Sequence, residues 1–324
     1  MPLLDLENLD KQEVPADTLA FNQRIIQAIE SGPELWDLPR DIVRQARREG
    51  KGIFPPEPFD PAAEVFEIRG KAAAIPMRAI RPDDRPERGV FLHFHGGGWV
   101  YGNADMQDQR LKEICNDTGL TCISVEYRLA PENPYPAGPD DCEAAALWLA
   151  TKGAEKFNTS FLSIGGESAG GHLAANALLR LRDRHNKTPF QAAVLIAGAF
   201  DLGMTPSAAN FKGNLVLRHK DMVNFGGCFL QSNEDTRDPD VSPLYADPSN
   251  MPPTHFTVGT RDPLLDDSIF MANHWVKSQS DVELDIYPGG CHVFQYFEQL
   301  QQARESRAKI SEFLNRQIEK NADA

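Results

Sequence analysis

Gly166-Glu167-Ser168-Ala169-Gly170 sets a serine between two glycines in the spacing G-x-S-x-G. An apolar run, Phe161 to Gly165, leads into it and a helix-favouring stretch to about Arg184 leads out, so the segment predicts a sharp strand-to-helix turn. At such a turn the central residue is held in a strained backbone conformation with its side chain exposed, and side chains two positions before and after would clash. A helix starting there also aims its positive dipole end at any developing negative charge. The chemistry indicated is nucleophilic attack by Ser168 on a carbonyl carbon. A free serine hydroxyl is a poor nucleophile at neutral pH, so the reading requires a base within hydrogen-bond reach, itself held in one tautomer.

The partners follow later in the chain, in the order acid then histidine. Asp262 comes directly after the apolar run His255 to Gly259, and His292 comes after the run Val282 to Tyr287, behind Gly289-Gly290. The glycine pair reads as a flexible loop able to bring the imidazole to Ser168. Pro263 restricts Asp262 to an extended backbone that aims its carboxylate across the turn. Asp266 and Asp267 are rivals for the acid, but they open the next helix, where dipole and capping effects already account for acidic residues. His255 and His274 read as strand-start and helix residues. A third element, His95-Gly96-Gly97-Gly98-Trp99, follows another apolar run. Its exposed N–H groups, those of Gly96 and Gly97 joined by that of Ala169, can receive the oxyanion of a tetrahedral intermediate. A plain flexible turn is the simpler alternative. A metal pair at His93 and His95 is rejected because no carboxylate or cysteine cluster at ligand spacing accompanies it; His95 is expected to order the loop by hydrogen bonding. Trp99, Tyr101, Phe211, Phe225 and Phe229 are candidate substrate-contacting aromatics, although aromatic residues are more often plain core.

These residues need a scaffold that delivers them to one rim. Strands are expected at 65–69, 73–81, 89–95, 120–127, 161–165, 191–199, 254–260 and 282–287, with helices at 106–118, 140–152, 168–184, 265–279 and from about 294. Strands that are apolar throughout and separated by helices imply an α/β fold. Its mostly parallel central sheet has about eight strands flanked by helices, with the first two strands as an antiparallel edge. We read 1–324 as a single domain. The first 50 residues and the stretch 203–250 break the alternation, and both are candidates for a cap over the sheet's carboxyl edge, where ligands bind in open α/β folds.

Composition narrows the function classes. With 33 Lys and Arg against 47 Asp and Glu, the 324-residue chain carries a formal charge of −14, a field that disfavours nucleic acid and anionic lipid surfaces as partners. A 41 % hydrophobic content with 25 % charged residues fits a soluble protein with a substantial core. The five cysteines, Cys115, Cys122, Cys142, Cys228 and Cys291, are odd in number and sit mostly in apolar runs, so no disulfide framework follows. The N-terminus lacks the basic start and apolar stretch of a secretory signal, and the longest apolar run, Ala192 to Phe200, is too short to span a bilayer. A cytoplasmic address, no membrane insertion and no metal or organic cofactor are expected. Assembly as a homodimer, through the terminal helix or the strand before it, is left open by the sequence.

Taken together, HGGGW at 95–99, YRLAPENPYPAGPDD at 127–141, GESAG at 166–170, DPLLDD at 262–267 and His292 resemble the hormone-sensitive-lipase-like family of microbial carboxylesterases, over about residues 65 to 315. The resemblance implies an α/β-hydrolase fold whose helical cap comes from the N-terminal segment and an insertion after the sixth strand. It implies hydrolysis of short to medium acyl-chain esters, with Ser168, Asp262 and His292 as the triad and Gly96, Gly97 and Ala169 as oxyanion donors. Glu167 departs from the Asp or Thr often found beside the family's nucleophile, and its role is open; a structural acceptor is favoured over a second base. Cys291, next to the base, reads as a small buried residue. An amidase or formamidase would use the same groups, and a catalytically silent hydrolase fold serving as a small-molecule receptor is a rival from another class.

Overall fold

A computed structural model describes residues 13–54, 58–278 and 281–323. Its centre is an eight-stranded sheet in the order β1-β2-β4-β3-β5-β6-β7-β8. The strands are β1 (Glu64–Arg69), β2 (Ala74–Ile80), β3 (Gly89–Phe94), β4 (Leu120–Val125), β5 (Leu162–Glu167), β6 (Ala192–Ile196), β7 (Thr254–Arg261) and β8 (Val282–Cys291). β2 runs antiparallel to both β1 and β4, and the pairs from β4 through β8 are parallel. The expected antiparallel edge is therefore present.

Strands β3 to β7 are almost wholly buried because both faces are covered. Successive side chains alternate between faces, so Leu92 and Phe94 of β3, Ile123 and Val125 of β4 and Leu195 of β6 join one cluster, together with Cys142, Leu149, Leu173 and Leu178. Their neighbours Phe91, Cys122 and Val194 join another, with Leu111, Cys115, Ile310, Phe313 and Leu314. The longer helices, numbered along the chain, are α1 (Ala16–Ser31), α2 (Arg40–Arg48), α3 (Asp108–Thr118), α4 (Ala137–Trp148), α5 (Ala169–His185), α6 (His219–Phe229), α7 (Leu265–Trp275) and α8 (Gln301–Ala322). Thus α4 and α5 cover the first face, and α3 and α8 the second.

Several boundaries differ from expectation for local reasons. α4 starts at Ala137, because Gly138 and Pro139 fall in the first turn, where a missing N–H costs nothing. The terminal helix begins at Gln301 rather than 294; Val293 in a left-handed conformation (φ 47°) is followed by a short 3-10 turn, Phe294–Tyr296. β8 extends through Gly289-Gly290, so the supposed flexible loop is an ordered strand end. A Cβ at Gly259 would lie 2.0 Å from the Gly290 carbonyl oxygen, and the β7–β8 register shifts between Gly259 and Arg261. The glycines permit a close strand approach that a side chain would forbid.

The two segments outside the alternation meet each other. Trp36 donates its indole N–H to Asp221 at 2.8 Å, and Arg218 pairs with Glu34 at 2.7 Å. Phe21 and Ile25 of α1 share a third apolar cluster with Leu215, Tyr287, Cys291 and Phe294, and Asn22 donates to the Gly289 carbonyl at 2.8 Å. The N-terminal helix is thereby fastened to the strand end that carries His292.

Candidate active site

The turn after β5 is as tight as the spacing demands. Ser168 has φ 57° and ψ −121°, a region that L-residues enter only under constraint. A Cβ at Gly166 would lie 2.3 Å, and one at Gly170 1.8 Å, from the Phe94 carbonyl oxygen; the turn is pressed against β3, and only glycine fits at either position. The backbone N–H of Ser168 donates to Ile196 at 2.9 Å, which ties the turn to β6.

Asp262 follows β7 directly and His292 follows β8, so adjacent parallel strands bring both to the rim where Ser168 stands. His292 Nε2 lies 2.9 Å from Ser168 Oγ, and His292 Nδ1 lies 2.8 Å from Asp262 Oδ2. The carboxylate can only accept, so Nδ1 carries the proton and Nε2 is free to accept the serine hydroxyl. Asp262 is 2 % and His292 5 % exposed, so solvent does not screen the pair strongly. The other Asp262 oxygen accepts the Leu264 N–H at 2.9 Å, which fixes the carboxylate. The rival acids are engaged elsewhere. Asp266 accepts from the Ser207 N–H at 2.8 Å, and Asp267 from Phe200 N at 2.7 Å, Asp201 N at 2.9 Å and Thr205 Oγ1 at 2.6 Å. Burial pushes the Asp267 carboxyl up to about 7 despite these donors. His255 is bonded to Asp285 and His274 to the Ala246 carbonyl. Cys291 is buried, and burial raises its thiol pKa.

In the glycine loop, the Gly96 N–H donates to Glu167 Oε1 at 2.5 Å and is engaged there. Gly97 and Gly98, with φ 119° and 62°, have N–H groups with no acceptor among the described residues, and both line the cavity that Ser168 opens into. A Cβ at Gly97 would meet the Tyr101 carbonyl oxygen at 2.2 Å, and one at Gly98 the Phe225 ring at 2.3 Å. The third glycine was as visible in the sequence as the first two, but the spacing alone did not say which amides Glu167 would occupy.

Glu167 is the organising acceptor of this region. Its Oε2 meets His93 Nε2 at 2.9 Å, and its Oε1 accepts from Gly96 N, Gln107 Nε2 and, at 2.9 Å, Tyr296 OH. Burial alone would raise this carboxyl, but the His93 imidazole, the Arg110 charge and the Gln107 donor outweigh it and hold the pKa at about 2. His95 stacks on Tyr127 with ring centroids 4.2 Å apart and bonds through Nδ1 to the Gly96 carbonyl at 2.9 Å. Burial lowers its pKa to about 4, so it orders the loop as a neutral ring. Trp99 donates to His172 Nδ1 at 3.1 Å, and His172 Nε2 donates to the Val241 carbonyl at 3.0 Å; burial also takes His172 down to about 4.

Ser168 stands between two cavities. One, of about 90 Å³, is lined by Gly96 to Gly98, His292, Leu217, Phe225, Phe54 and Arg47. The other, of about 60 Å³, is lined by Trp99, Ala169, Leu202, Leu217, Phe225 and Leu264. Of the aromatics singled out in the sequence, Phe225 lines both and Trp99 one. Tyr101 is buried at 0 % exposure beneath Arg47, whose guanidinium lies 4.8 Å from its ring centroid. Phe229 is buried behind Trp99, stacked at 4.6 Å, and the Phe211 ring lies against Gly213; none of these three lines either cavity. Arg47, Phe54 and Leu217 were not anticipated, since Arg47 sits in a basic run that reads as a solvated helix face.

A family model described as alpha/beta hydrolase fold matches residues 91–296. The carboxylic ester hydrolase LipN of Mycobacterium tuberculosis is 32 % identical over 210 residues, covering 62 % of this chain and 56 % of that protein. An arylesterase of Saccharolobus solfataricus is 32 % identical over 242 residues, covering 73 % of this chain and 79 % of that protein. Among solved structures, a hormone-sensitive lipase from a metagenome library superimposes with a TM-score of 0.80 at 27 % identity, over 94 % of this chain and 100 % of that one. Among the described residues no helix is long and apolar enough to cross a membrane. The chain belongs to the α/β-hydrolase fold family, in its hormone-sensitive-lipase-like branch.

Proposed function

We propose that the protein is a serine carboxylesterase acting on short to medium acyl-chain esters. The observation that carries this reading is the run of two hydrogen bonds, 2.9 Å from Ser168 Oγ to His292 Nε2 and 2.8 Å from His292 Nδ1 to Asp262 Oδ2, at a rim where unoccupied N–H groups face a cavity. Ser168 attacks the ester carbonyl while its proton passes to His292 Nε2. Asp262 keeps the imidazole in the tautomer that can accept, then stabilises the imidazolium. The N–H groups of Gly97, Gly98 and Ala169 receive the charge that develops on the carbonyl oxygen, typically the largest single contribution in acyl transfer. The imidazolium returns its proton to the departing alcohol, leaving an acyl group on Ser168. Water, deprotonated by the same nitrogen, repeats the sequence and releases the acid. Residues 13–50 and 203–250 act as a cap, because α2, the segment just before α6 and α6 itself supply the outer wall of the Ser168 cavity through Arg47, Leu217 and Phe225.

A fluorophosphonate probe should label the protein once, at Ser168, and should not label Ser168→Ala. An unlabelled wild type would favour a binding protein on this fold. Rates on p-nitrophenyl acetate, butyrate and octanoate against an anilide then separate ester from amide hydrolysis, and faster turnover of the anilide would overturn the substrate class.

A further inference from the structure

The cavity at Ser168 does not end at the cap. Arg47, Phe54 and Val216 line it and also line a second, larger cavity of about 410 Å³ between α1, α2 and the segment around Leu215. That cavity is walled mainly by apolar side chains, among them Ile29, Leu35, Leu38 and Ile53. An ester seated at Ser168 can therefore extend past Arg47 into an apolar chamber.

Arg47 is unlike its charged neighbours. Arg44, one turn earlier, donates to the Val100 and Ala130 carbonyls and to Glu132. Arg218 is saturated by Glu34 and Asp221, and Lys51 faces Glu49. Arg47 has no hydrogen-bond acceptor and no carboxylate partner among the described residues; its guanidinium lies 4.8 Å from the Tyr101 ring centroid and 5.5 Å from that of Phe54. Asp221, an acid lining the same chamber, has both oxygens occupied by Trp36 and Arg218. A half-buried guanidinium with five donors and no anion is an incomplete arrangement. The two rings hold it in place, and burial lowers its pKa against the weaker opposing pull of Tyr101, Tyr296 and Asp221.

We infer that Arg47 is an anion-recognition residue and that the preferred substrates are esters carrying a carboxylate at the end remote from the scissile bond, such as hemiesters of dicarboxylic acids. A monoanion fits better than a phosphate dianion. One guanidinium balances one charge, and a second would face the Glu167 carboxylate in the same cavity of a chain already at −14. The inference rests on the esterase reading and deepens it.

The test compares mono-p-nitrophenyl adipate and suberate with their methyl-capped, neutral counterparts, following nitrophenolate release. For wild type, kcat/KM should favour the carboxylate ester at one or both chain lengths. In Arg47→Met that preference should fall about 10- to 100-fold, the equivalent of about 1.4 to 2.8 kcal/mol, with most of the change in KM. Arg47→Lys, which keeps the charge but not the planar fork, should retain part of it and serves if the methionine variant does not fold. A role limited to packing would depress both esters together and leave their ratio unchanged, and that result in an active variant overturns the anion subsite alone. Failure of wild type to hydrolyse either ester overturns this inference, and failure on p-nitrophenyl acetate, butyrate and octanoate as well overturns the esterase reading with it.

Discussion

Replacing Glu167 by glutamine tests how the oxyanion loop is held. The carboxylate accepts from Gly96 N, Gln107 Nε2 and Tyr296 OH on one oxygen and meets His93 on the other. Glutamine retains one acceptor oxygen but no charge. Hydrogen bonds to a charged group contribute about 1.5–3 kcal/mol and neutral ones about 0.5–1.5, so weakening three of them costs roughly 3 kcal/mol. Proton linkage gives a similar figure. Holding the carboxyl at about 2 instead of its ordinary 4.5 is worth roughly 3 kcal/mol at about 1.36 kcal/mol per pKa unit. Because the folded-state pKa is depressed, this stabilisation is fully present above pH 4.5 and is lost as pH falls toward 2. Urea unfolding at pH 7 should show the loss in Glu167→Gln, and the difference from wild type should shrink as pH falls through that window. With Gly96 less firmly held, the neighbouring amides of Gly97 and Gly98 lose their aim. We expect kcat on p-nitrophenyl butyrate to fall about 10- to 100-fold, below the full cost of deleting an oxyanion donor, with KM changed less than about threefold. An unchanged midpoint together with unchanged kcat would refute the reasoning, because a buried acceptor of four partners cannot be neutralised without consequence.

Three further perturbations have defined outcomes. Asp262→Asn preserves the shape of the site but removes the acceptor that fixes the His292 tautomer, so kcat should fall about 10⁴-fold, measured by steady-state hydrolysis of the same ester; a loss below tenfold would argue for another acid. Gly98→Ala drives a Cβ into the Phe225 ring, 2.3 Å away, at a residue with φ 62°, and should lower kcat about 10²-fold while labelling of Ser168 by fluorophosphonate slows in parallel. Asp267, pushed up to about 7 from an ordinary 3.8, has the opposite linkage to Glu167: its contribution is complete below pH 3.8 and is lost as pH rises through 7, by up to about 4 kcal/mol. Asp267→Asn should therefore gain stability relative to wild type between pH 5 and pH 8 in urea titrations, and parallel pH curves would refute the assignment.

The sequence exposed what depends on local pattern. Apolar runs at β3 to β7 identified the buried sheet, because residues facing both sides are covered, and Gly166 and Gly170 announced the turn because a side chain at either would strike Phe94. Asp262 and His292 were legible because parallel strands deliver consecutive loop residues to one edge. What remained hidden depends on approaches between distant segments. Gly289-Gly290 reads as a loose loop until β7 comes within contact of it, and Gly96 reads as a free donor until Glu167 reaches across. Arg47 lies in a run of arginines whose spacing gives no hint that one points to a cavity while Arg44 is tied down. Phe229 and Tyr101 were indistinguishable from pocket aromatics, since period and composition do not tell which face of a ring meets a void.

The Trp36–Asp221 and Glu34–Arg218 contacts join two stretches separated by most of the sheet-forming sequence. Neither stretch can be exchanged with a relative's counterpart by itself, since a graft of the N-terminal half alone would arrive with the Trp36 indole and the Glu34 carboxylate stripped of their partners. Drift in this region should consequently move by matched changes, and chimeras built to alter selectivity should transfer both stretches as one unit.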